Sequence, residues 1–167
     1  KNSPTYGGFE STLDNMVFNG DFTIDWFQYW RNITVPAYQA AFDCAYKHVN
    51  GLTIVTGNMT GKYQVLVYSN MVLFTEDTVS PLNVWCHYAL TRKNGIITLW
   101  RDGKVVGSGT FNGVIGTSSK KKCIGSYASD SGAIGQAFNG YIIYFRITKD
   151  IARWSSEFTP PSSTDNY

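Results

Sequence analysis

Two apolar runs flank a tight turn between Val84 and Val106, and they form the clearest pattern in the chain. Asn94-Gly95 separates the runs, and Asn-Gly adopts the positive φ angles of a two-residue hairpin turn at little cost. A second reversal is expected at Asp102-Gly103. In the first run, neither the face of Trp85, His87 and Ala89 nor the opposite face is polar. The pattern therefore predicts a hairpin covered on both sides, near the centre of a layered β structure.

Alternation at period two recurs on both sides of this hairpin. Residues 22–30 place Phe22, Ile24, Trp26, Gln28 and Trp30 on one face of a long strand. Residues 37–46 place Tyr38 on one face with Ala40, Phe42 and Cys44. Further strands are predicted at 52–56, 63–68, 71–75, 122–127 and 138–148. Many short strands with frequent turn signals indicate a β-sandwich or a barrel.

The length and net charge of the chain narrow the classes of protein to which it can belong. A chain of 167 residues predicts a single domain, 1–167, with an irregular N-terminal segment at 1–13 and an extended tail at 155–167. The net charge of +2 does not indicate nucleic-acid binding, and no apolar run is long enough to insert into a membrane. The basic run 120–122 is expected to be a solvated edge strand.

Three cysteines, Cys44, Cys86 and Cys123, leave at least one thiol outside any intrachain disulfide. Their spacing matches no zinc pattern. Buried free thiols are the preferred interpretation, and one disulfide is the alternative.

The segment from Phe138 to Pro161 resembles the end of laminin-G-like, concanavalin A-like lectin/glucanase modules of phage and large-DNA-virus virion or tail proteins. The resemblance rests on Phe-Asn-Gly-Tyr-Ile, Arg-Ile-Thr-Lys, Ala-Arg-Trp and Phe-Thr-Pro-Pro. Stretches 20–29 and 85–103 are similar in the same order, so residues ~15–161 are covered. Two departures are Ile143, where the family often has an acidic residue, and Trp154, where a tyrosine is usual.

The resemblance implies an all-β fold, a two-sheet antiparallel jelly-roll β-sandwich of the concanavalin A-like type. It also implies binding of glycans or proteins on loops or on a concave sheet, sometimes through calcium. Other members of the family are glycoside hydrolases, so catalysis has to be considered.

The carboxylates do not indicate catalysis. Glycoside hydrolysis needs two carboxyl groups within ~10 Å, whereas Asp21 and Asp25 lie ~13 Å apart along one strand face. Glu76 and Asp77 are expected to form a solvated turn, and His87 lies in a scaffold strand without a nucleophile motif. The sequence therefore predicts a protein that is not an enzyme.

Candidate binding residues are aromatic or acidic. Trp30 and Trp100 end strands beside arginines, so both are expected to be exposed for stacking on a sugar. Tyr29, Tyr63 and Arg101 complete this ligand set. No certain cofactor is indicated; calcium is possible, and its candidate ligands are Asp130, Asp43 and Asp77.

The first functional hypothesis is a non-enzymatic lectin-like domain that binds host glycan, located outside the cell or on a virion or tail surface. The second is a structural or decoration module of a virus particle that packs against its own copies, as an oligomer, or against another viral structural protein. A glycoside hydrolase or lyase is the third. An aromatic content of 16% suits the first two.

Overall fold

The computed structural model describes residues 9–11, 16–33, 38–45, 49–68, 71–117, 122–128 and 134–162. These residues contain β-strands and turns and no helix. In chain order the strands are β1 Phe9–Ser11, β2 Phe22–Trp30, β3 Ala40–Cys44, β4 Leu52–Thr56, β5 Tyr63–Val67, β6 Met71–Thr75, β7 Trp85–Lys93, β8 Ile96–Arg101, β9 Lys104–Thr110, β10 Lys122–Ile124, β11 Tyr127–Ala128, β12 Ile134–Gly135 and β13 Gly140–Lys149. Accordingly, no helix in the described ranges is long and apolar enough to cross a membrane.

The strands form two large antiparallel sheets. The six-stranded sheet has the order β1-β10-β3-β4-β5-β6, and the five-stranded sheet has the order β13-β2-β7-β8-β9. A small ribbon of β11 and β12 contacts β3 and β10. The predicted all-β, two-sheet antiparallel sandwich is confirmed.

The predicted hairpin lies within the five-stranded sheet. Asn94 and Gly95 have φ angles of 49° and 80°, and Asp102 and Gly103 have φ angles of 49° and 78°. Strand β7 lies between β2 and β8, and residues 86–92 are buried. The expectation of a strand covered on both faces is therefore confirmed, because one face meets the core and the other lies beneath the end of the chain.

Aromatic residues of both sheets fill the core. Trp26 stacks on Tyr88 with ring centroids 5.6 Å apart, and Trp30 stacks on Tyr63 at 5.4 Å. The one polar residue in the inward set of β2 is satisfied, since Gln28 Oε1 accepts hydrogen bonds from Trp26 Nε1 and the Tyr63 hydroxyl, each 2.8 Å long. The residues of β2 that the sequence pattern places on one face are therefore the residues that point into the core of the structure.

The solvated turn expected at 76–77 is wrong for Glu76. Its side chain is buried, with Oε1 accepting from the Tyr88 hydroxyl and Arg101 and Oε2 accepting from the Tyr63 amide and the Ser80 hydroxyl. Burial raises the pKa of the Glu76 carboxyl despite these donors. The Glu76 amide donates to Tyr63 of the six-stranded sheet and the Asp77 amide to Val106 of the five-stranded sheet, so the chain runs between the two sheets after β6. The Glu76 carboxylate fixes the following loop through Ser80 and Arg101.

The edge position expected for the basic run 120–122 is wrong at Lys122, and Lys120 and Lys121 lie outside the described residues. Strand β1 pairs with the outer side of β10, so β10 lies inside the sheet and Lys122 is buried. The cysteines behave as expected for a hydrophobic interior, because all three are buried and none of them forms a disulfide. Burial raises the pKa of the Cys44 and Cys86 thiols to about 12, which keeps both protonated at neutral pH.

Candidate functional site

The C-terminal segment, residues 150–162, covers part of the outer face of the five-stranded sheet. Trp154 and Phe158 stack with centroids 4.1 Å apart, and both meet the His87 ring edge to face at 5.6 and 5.9 Å. Phe158 also packs on Trp100, and its amide donates to the Gly103 carbonyl. This covering closes the face above β7 and β8.

An ion pair lies in the same covered face. Arg146 donates to both carboxylate oxygens of Asp25, at 3.1 and 2.8 Å, and Asp25 is fully buried. His87 Nε2 is 3.6 Å from Asp25 Oδ2, which is too long for a hydrogen bond. Because His87 is buried beneath Trp154 and Phe158, a substrate cannot reach its imidazole.

A depression of about 300 Å³ lies beside Trp154 on this face. Three of its lining side chains have partners: Lys93 pairs with Asp21 at 3.1 Å, and Trp100 Nε1 donates to Thr91 Oγ1 at 2.8 Å. These three side chains are therefore committed to contacts within the protein.

The outer face of the six-stranded sheet, in contrast, holds an open groove of about 350 Å³. Its described lining residues come from β4, β5, β6, β11 and two connecting segments: Val55, Gln64, Leu66, Val72, Tyr127, Tyr38 and Gln136. Alternation along β5 explains the floor, since Tyr63, Val65 and Val67 point into the core while Gln64 and Leu66 point outward. We call this surface the groove.

One polar atom of the groove is left without a partner. Gln136 Oε1 is buried and accepts no hydrogen bond, although the backbone carbonyl of the same residue accepts one from the Ala40 amide. An unsatisfied buried acceptor costs about 1–3 kcal/mol, so a donor placed there by a ligand would be favourable. With the Gln64 amide and the Tyr38 and Tyr127 rings, this oxygen gives the groove both polar and flat apolar surfaces.

A second surface is flat. Tyr141, Tyr29 and Trp85 face each other across β13, β2 and β7, with ring centroids 5.6 to 6.4 Å apart. Trp85 is 45% exposed and Tyr141 is 54% exposed. We call these three residues the aromatic patch. Of the ligand residues predicted from sequence, Tyr29 alone belongs to it.

The exposure predicted for Trp30 and Trp100 is wrong. Trp30 lies on the inward face of β2, and its Nε1 donates to Gln39 Oε1 at 2.7 Å. Trp100 is buried beneath Phe158. Tyr63 is likewise buried in the core. A strand end is exposed only if no neighbouring segment extends across it, and here neighbouring segments do.

The remaining predicted residues are not brought together. Arg101 is bound to Glu76 at 3.0 Å, and this pair fixes a loop. Asp43 is buried and accepts a 2.7 Å hydrogen bond from Thr53, whereas Asp77 is exposed. Asp130 lies outside the described residues. Within the described ranges, no three His, Cys, Asp or Glu residues lie close enough to hold a metal ion.

Sequence reasoning missed the residues of the groove, and a β-bulge explains one of these misses. Strict alternation placed Tyr38 on the same face as Ala40, Phe42 and Cys44. The register of β3 against β4 shifts between Ala40 and Phe42. Phe42 therefore packs in the core, while Ala40 joins Val55 and Leu66 on the outer face, beside Tyr38.

Comparison with known proteins agrees with this architecture. Residues 5–154 match the family described as the concanavalin A-like lectin/glucanases superfamily, Laminin_G_3. No curated protein is similar enough to count as a match.

Several solved structures have the same fold. A Bacteroides ovatus protein, whose carbohydrate binding is itself only proposed, is 16% identical with a TM-score of 0.62, over 90% of this chain and 41% of that one. Domain 4 of the Geobacillus stearothermophilus extracellular arabinanase AbnA, in complex with arabinotriose, is 19% identical with a TM-score of 0.59, over 79% and 62%. The Ruminococcus gnavus sialidase module CBM40, bound to α2,3-sialyllactose, is 13% identical with a TM-score of 0.61, over 80% and 78%. This chain thus spans less than two thirds of the first two.

Proposed function

This chain belongs to the concanavalin A-like lectin/glucanases superfamily, and we propose that it is a non-enzymatic carbohydrate-binding domain whose ligand occupies the groove. One observation carries the proposal: the groove combines exposed tyrosine surface with amide groups, one of which has an unsatisfied buried oxygen. Sugars present apolar ring faces that stack on aromatic rings and hydroxyls that bond to amides. The groove offers both kinds of contact.

The structural neighbours support the same class of ligand. Two of them hold arabinotriose and sialyllactose in their solved structures. The sequence identities are too low to carry a particular sugar over to this chain. They support carbohydrate as the class, and the groove residues have to define the sugar.

The partners of the three buried carboxylates in the described part of the chain support a binding role over a hydrolytic one. Asp25 is held by Arg146, Glu76 by tyrosines and Arg101, and Asp43 by Thr53. None of the described residues lining the groove is a carboxylate, whereas glycoside hydrolysis uses two carboxyl groups on either side of the scissile bond. The arabinanase among the neighbours shows that such domains also occur within enzymes, so the activity of any longer protein is a separate question.

The biological setting that we propose is the extracellular space or a virion or tail surface, with host glycan as the ligand. We also propose calcium as a cofactor, with Asp130, which lies outside the described residues, as its candidate ligand; Asp43 and Asp77 leave the ligand set because Asp43 is buried against Thr53 whereas Asp77 is exposed. Chelation tests this part independently of the groove.

A glycan array on the isolated chain, with calcium and then with chelator, tests the function. We expect selective binding that Tyr38→Ala weakens at least tenfold and that Tyr141→Ala, on the opposite sheet, leaves unchanged. Loss of binding with chelator would identify calcium as part of the site. The absence of selective binding at high protein concentration would overturn the proposal, and loss only in Tyr141→Ala would move the site to the aromatic patch.

A second candidate function, favoured by the aromatic patch, is a protein-docking or decoration module. Exposed Trp and Tyr side chains on a flat sheet face are typical of protein interfaces. Such a module would assemble or attach without sugar. Sedimentation velocity of the chain and of Trp85→Ser tests it. A concentration-dependent oligomer that the variant abolishes would support this function. If the unaltered chain is a monomer at every concentration, self-assembly is excluded.

A further inference from the structure

We infer that the groove selects neutral, hydroxyl-rich sugars over sugars that carry a carboxylate or sulfate. The inference rests on the proposed function and concerns the chemistry of the same site. It starts from the charges of the lining residues. None of the seven described residues that line the groove carries a formal charge.

The lack of a cation among the described lining residues matters because binding of an anionic sugar in a buried site requires a positive charge. Recognition of a carboxylate or sulfate in a partly buried site usually depends on a guanidinium or ammonium, whose charge offsets the loss of water. Of the arginines, Arg101 and Arg146 are committed to Glu76 and Asp25, and Arg92 donates to the carbonyls of Phe18, Gly20 and Gly113. An acidic group in the groove would lose its hydration without gaining a charged partner among the described residues that line it.

The unsatisfied oxygen of Gln136 points to the same selection. An amide oxygen accepts hydrogen bonds and cannot donate them, so its ligand partner has to be a donor. A sugar hydroxyl is a donor, whereas an ionised carboxylate or sulfate can only accept. A neutral sugar therefore completes the hydrogen bonding of Gln136, while an anion placed there would face another electronegative oxygen.

The volume sets the size of the ligand. At about 350 Å³ the groove lies at the lower end of the ~300–1,000 Å³ that is typical of small-molecule sites. It therefore suits one or two sugar rings and not a long segment of chain. Charge on neighbouring sugars would remain in solvent and matter little, so the selection applies to the ring that is bound.

The test starts from whatever glycans bind on the array and compares each with a partner that differs only in charge. Acidic glycans are compared with their carboxyl-reduced or methyl-esterified forms, and neutral glycans with their uronic acid forms. We expect the neutral member of each pair to bind at least tenfold more tightly. Because no ion pair contributes, its affinity should change less than about twofold when salt screens charge–charge attraction.

Three variants separate this inference from a general loss of folding. Gln136→Met, which keeps the size and removes the acceptor, should weaken neutral binding at least tenfold. Gln136→Glu keeps an acceptor and should retain neutral binding. Gln64→Arg adds a cation to the groove floor and should narrow the neutral-to-acid ratio at least tenfold. Lys104→Gln, on β9 of the other sheet, is the matched control and should behave as the unaltered chain.

Either of two results would overturn the inference. If the acidic member of a pair binds as tightly as the neutral member, or if removing its charge abolishes binding, the selection is wrong while carbohydrate binding stands. If no glycan binds, the proposed function fails and this inference fails with it. A circular dichroism melt of each variant shows whether it has folded.

Discussion

On the outer face of the five-stranded sheet, Asp25 and His87 lie beneath the C-terminal segment, whereas the outer face of the six-stranded sheet is open above Gln64 and Leu66. Both faces are built from alternating strands that carry polar and aromatic side chains. What differs is the covering. Beneath the segment, Asp25 is paired with Arg146, and His87 is enclosed by Trp154 and Phe158 with neither ring nitrogen hydrogen-bonded; in the open groove, the oxygen of Gln136 also has no partner.

This difference predicts that substitutions on the covered face change stability, and that substitutions in the groove change binding. Four experiments test the two halves of the comparison, beginning with the substitution that should change the free energy of unfolding most.

Arg146→Met should lower the free energy of unfolding by about 3–5 kcal/mol, because it leaves Asp25 buried without its ion partner. Urea unfolding at neutral pH measures the loss. Arg153→Ala is the control, since Arg153 is exposed and its side chain donates one exposed hydrogen bond to Thr148; it should cost less than about 0.5 kcal/mol. If both substitutions lowered the free energy of unfolding by the same amount, the covered ion pair would contribute no more to stability than an exposed side chain.

Gly103→Ala should cost about 2–3 kcal/mol and displace the C-terminal segment. Gly103 has a φ of +78°, and a Cβ atom there would lie 1.7 Å from the carbonyl oxygen of Phe158. Gly95→Ala is the matched control, because Gly95 has a φ of +80° but its Cβ would meet only the movable side chain of Asn112. In both variants, placing alanine at a positive φ angle should lower the free energy of unfolding by about 1–2 kcal/mol, and the clash with Phe158 adds to this loss only in Gly103→Ala.

Limited proteolysis distinguishes these two glycine variants. The segment should become cleavable near Trp154 in Gly103→Ala alone, with a change in tryptophan fluorescence. Resistance of both variants to cleavage would show that the segment does not depend on its contact with the turn.

Asp21→Asn should cost at most about 1 kcal/mol at neutral pH, since the Asp21–Lys93 pair lies at the surface. The Asn94 amide, and then Lys93, lower the pKa of Asp21 below its ordinary value of 3.8. Its contribution is therefore present above that value and is lost as the pH falls through the lowered pKa. Unfolding at pH 7 and pH 3 should show the variant and the unaltered chain converging in acid; a constant difference would contradict the assignment.

Tyr38→Ala and Gln64→Ala in the groove should change the free energy of unfolding by less than about 0.5 kcal/mol while glycan binding weakens at least tenfold. Tyr38 is 40% exposed, so little packing is removed. Calorimetric titration with an array-identified glycan, beside urea unfolding of the same samples, measures both quantities. A stability loss above about 1 kcal/mol without a loss of binding would make the groove part of the scaffold.

The sequence by itself determined the local architecture. Asn94-Gly95 and Asp102-Gly103 define turns because their φ angles follow from residue type. The alternating apolar residues of β2 define its inward face because side chains along a strand alternate with period two. Both effects depend on residues that are close together in sequence. The two-sheet sandwich was predicted from the three stretches that carry the family resemblance.

Only the tertiary structure decided which outward side chains stay open. The register shift between Ala40 and Phe42 brings Tyr38 to the groove, and the return of the chain end over β7 and β8 buries Trp100 and His87. Both depend on contacts between residues far apart in sequence, such as Phe158 with Gly103. A period-two pattern assigns a residue to a face of its own strand but does not reveal which distant segment covers that face.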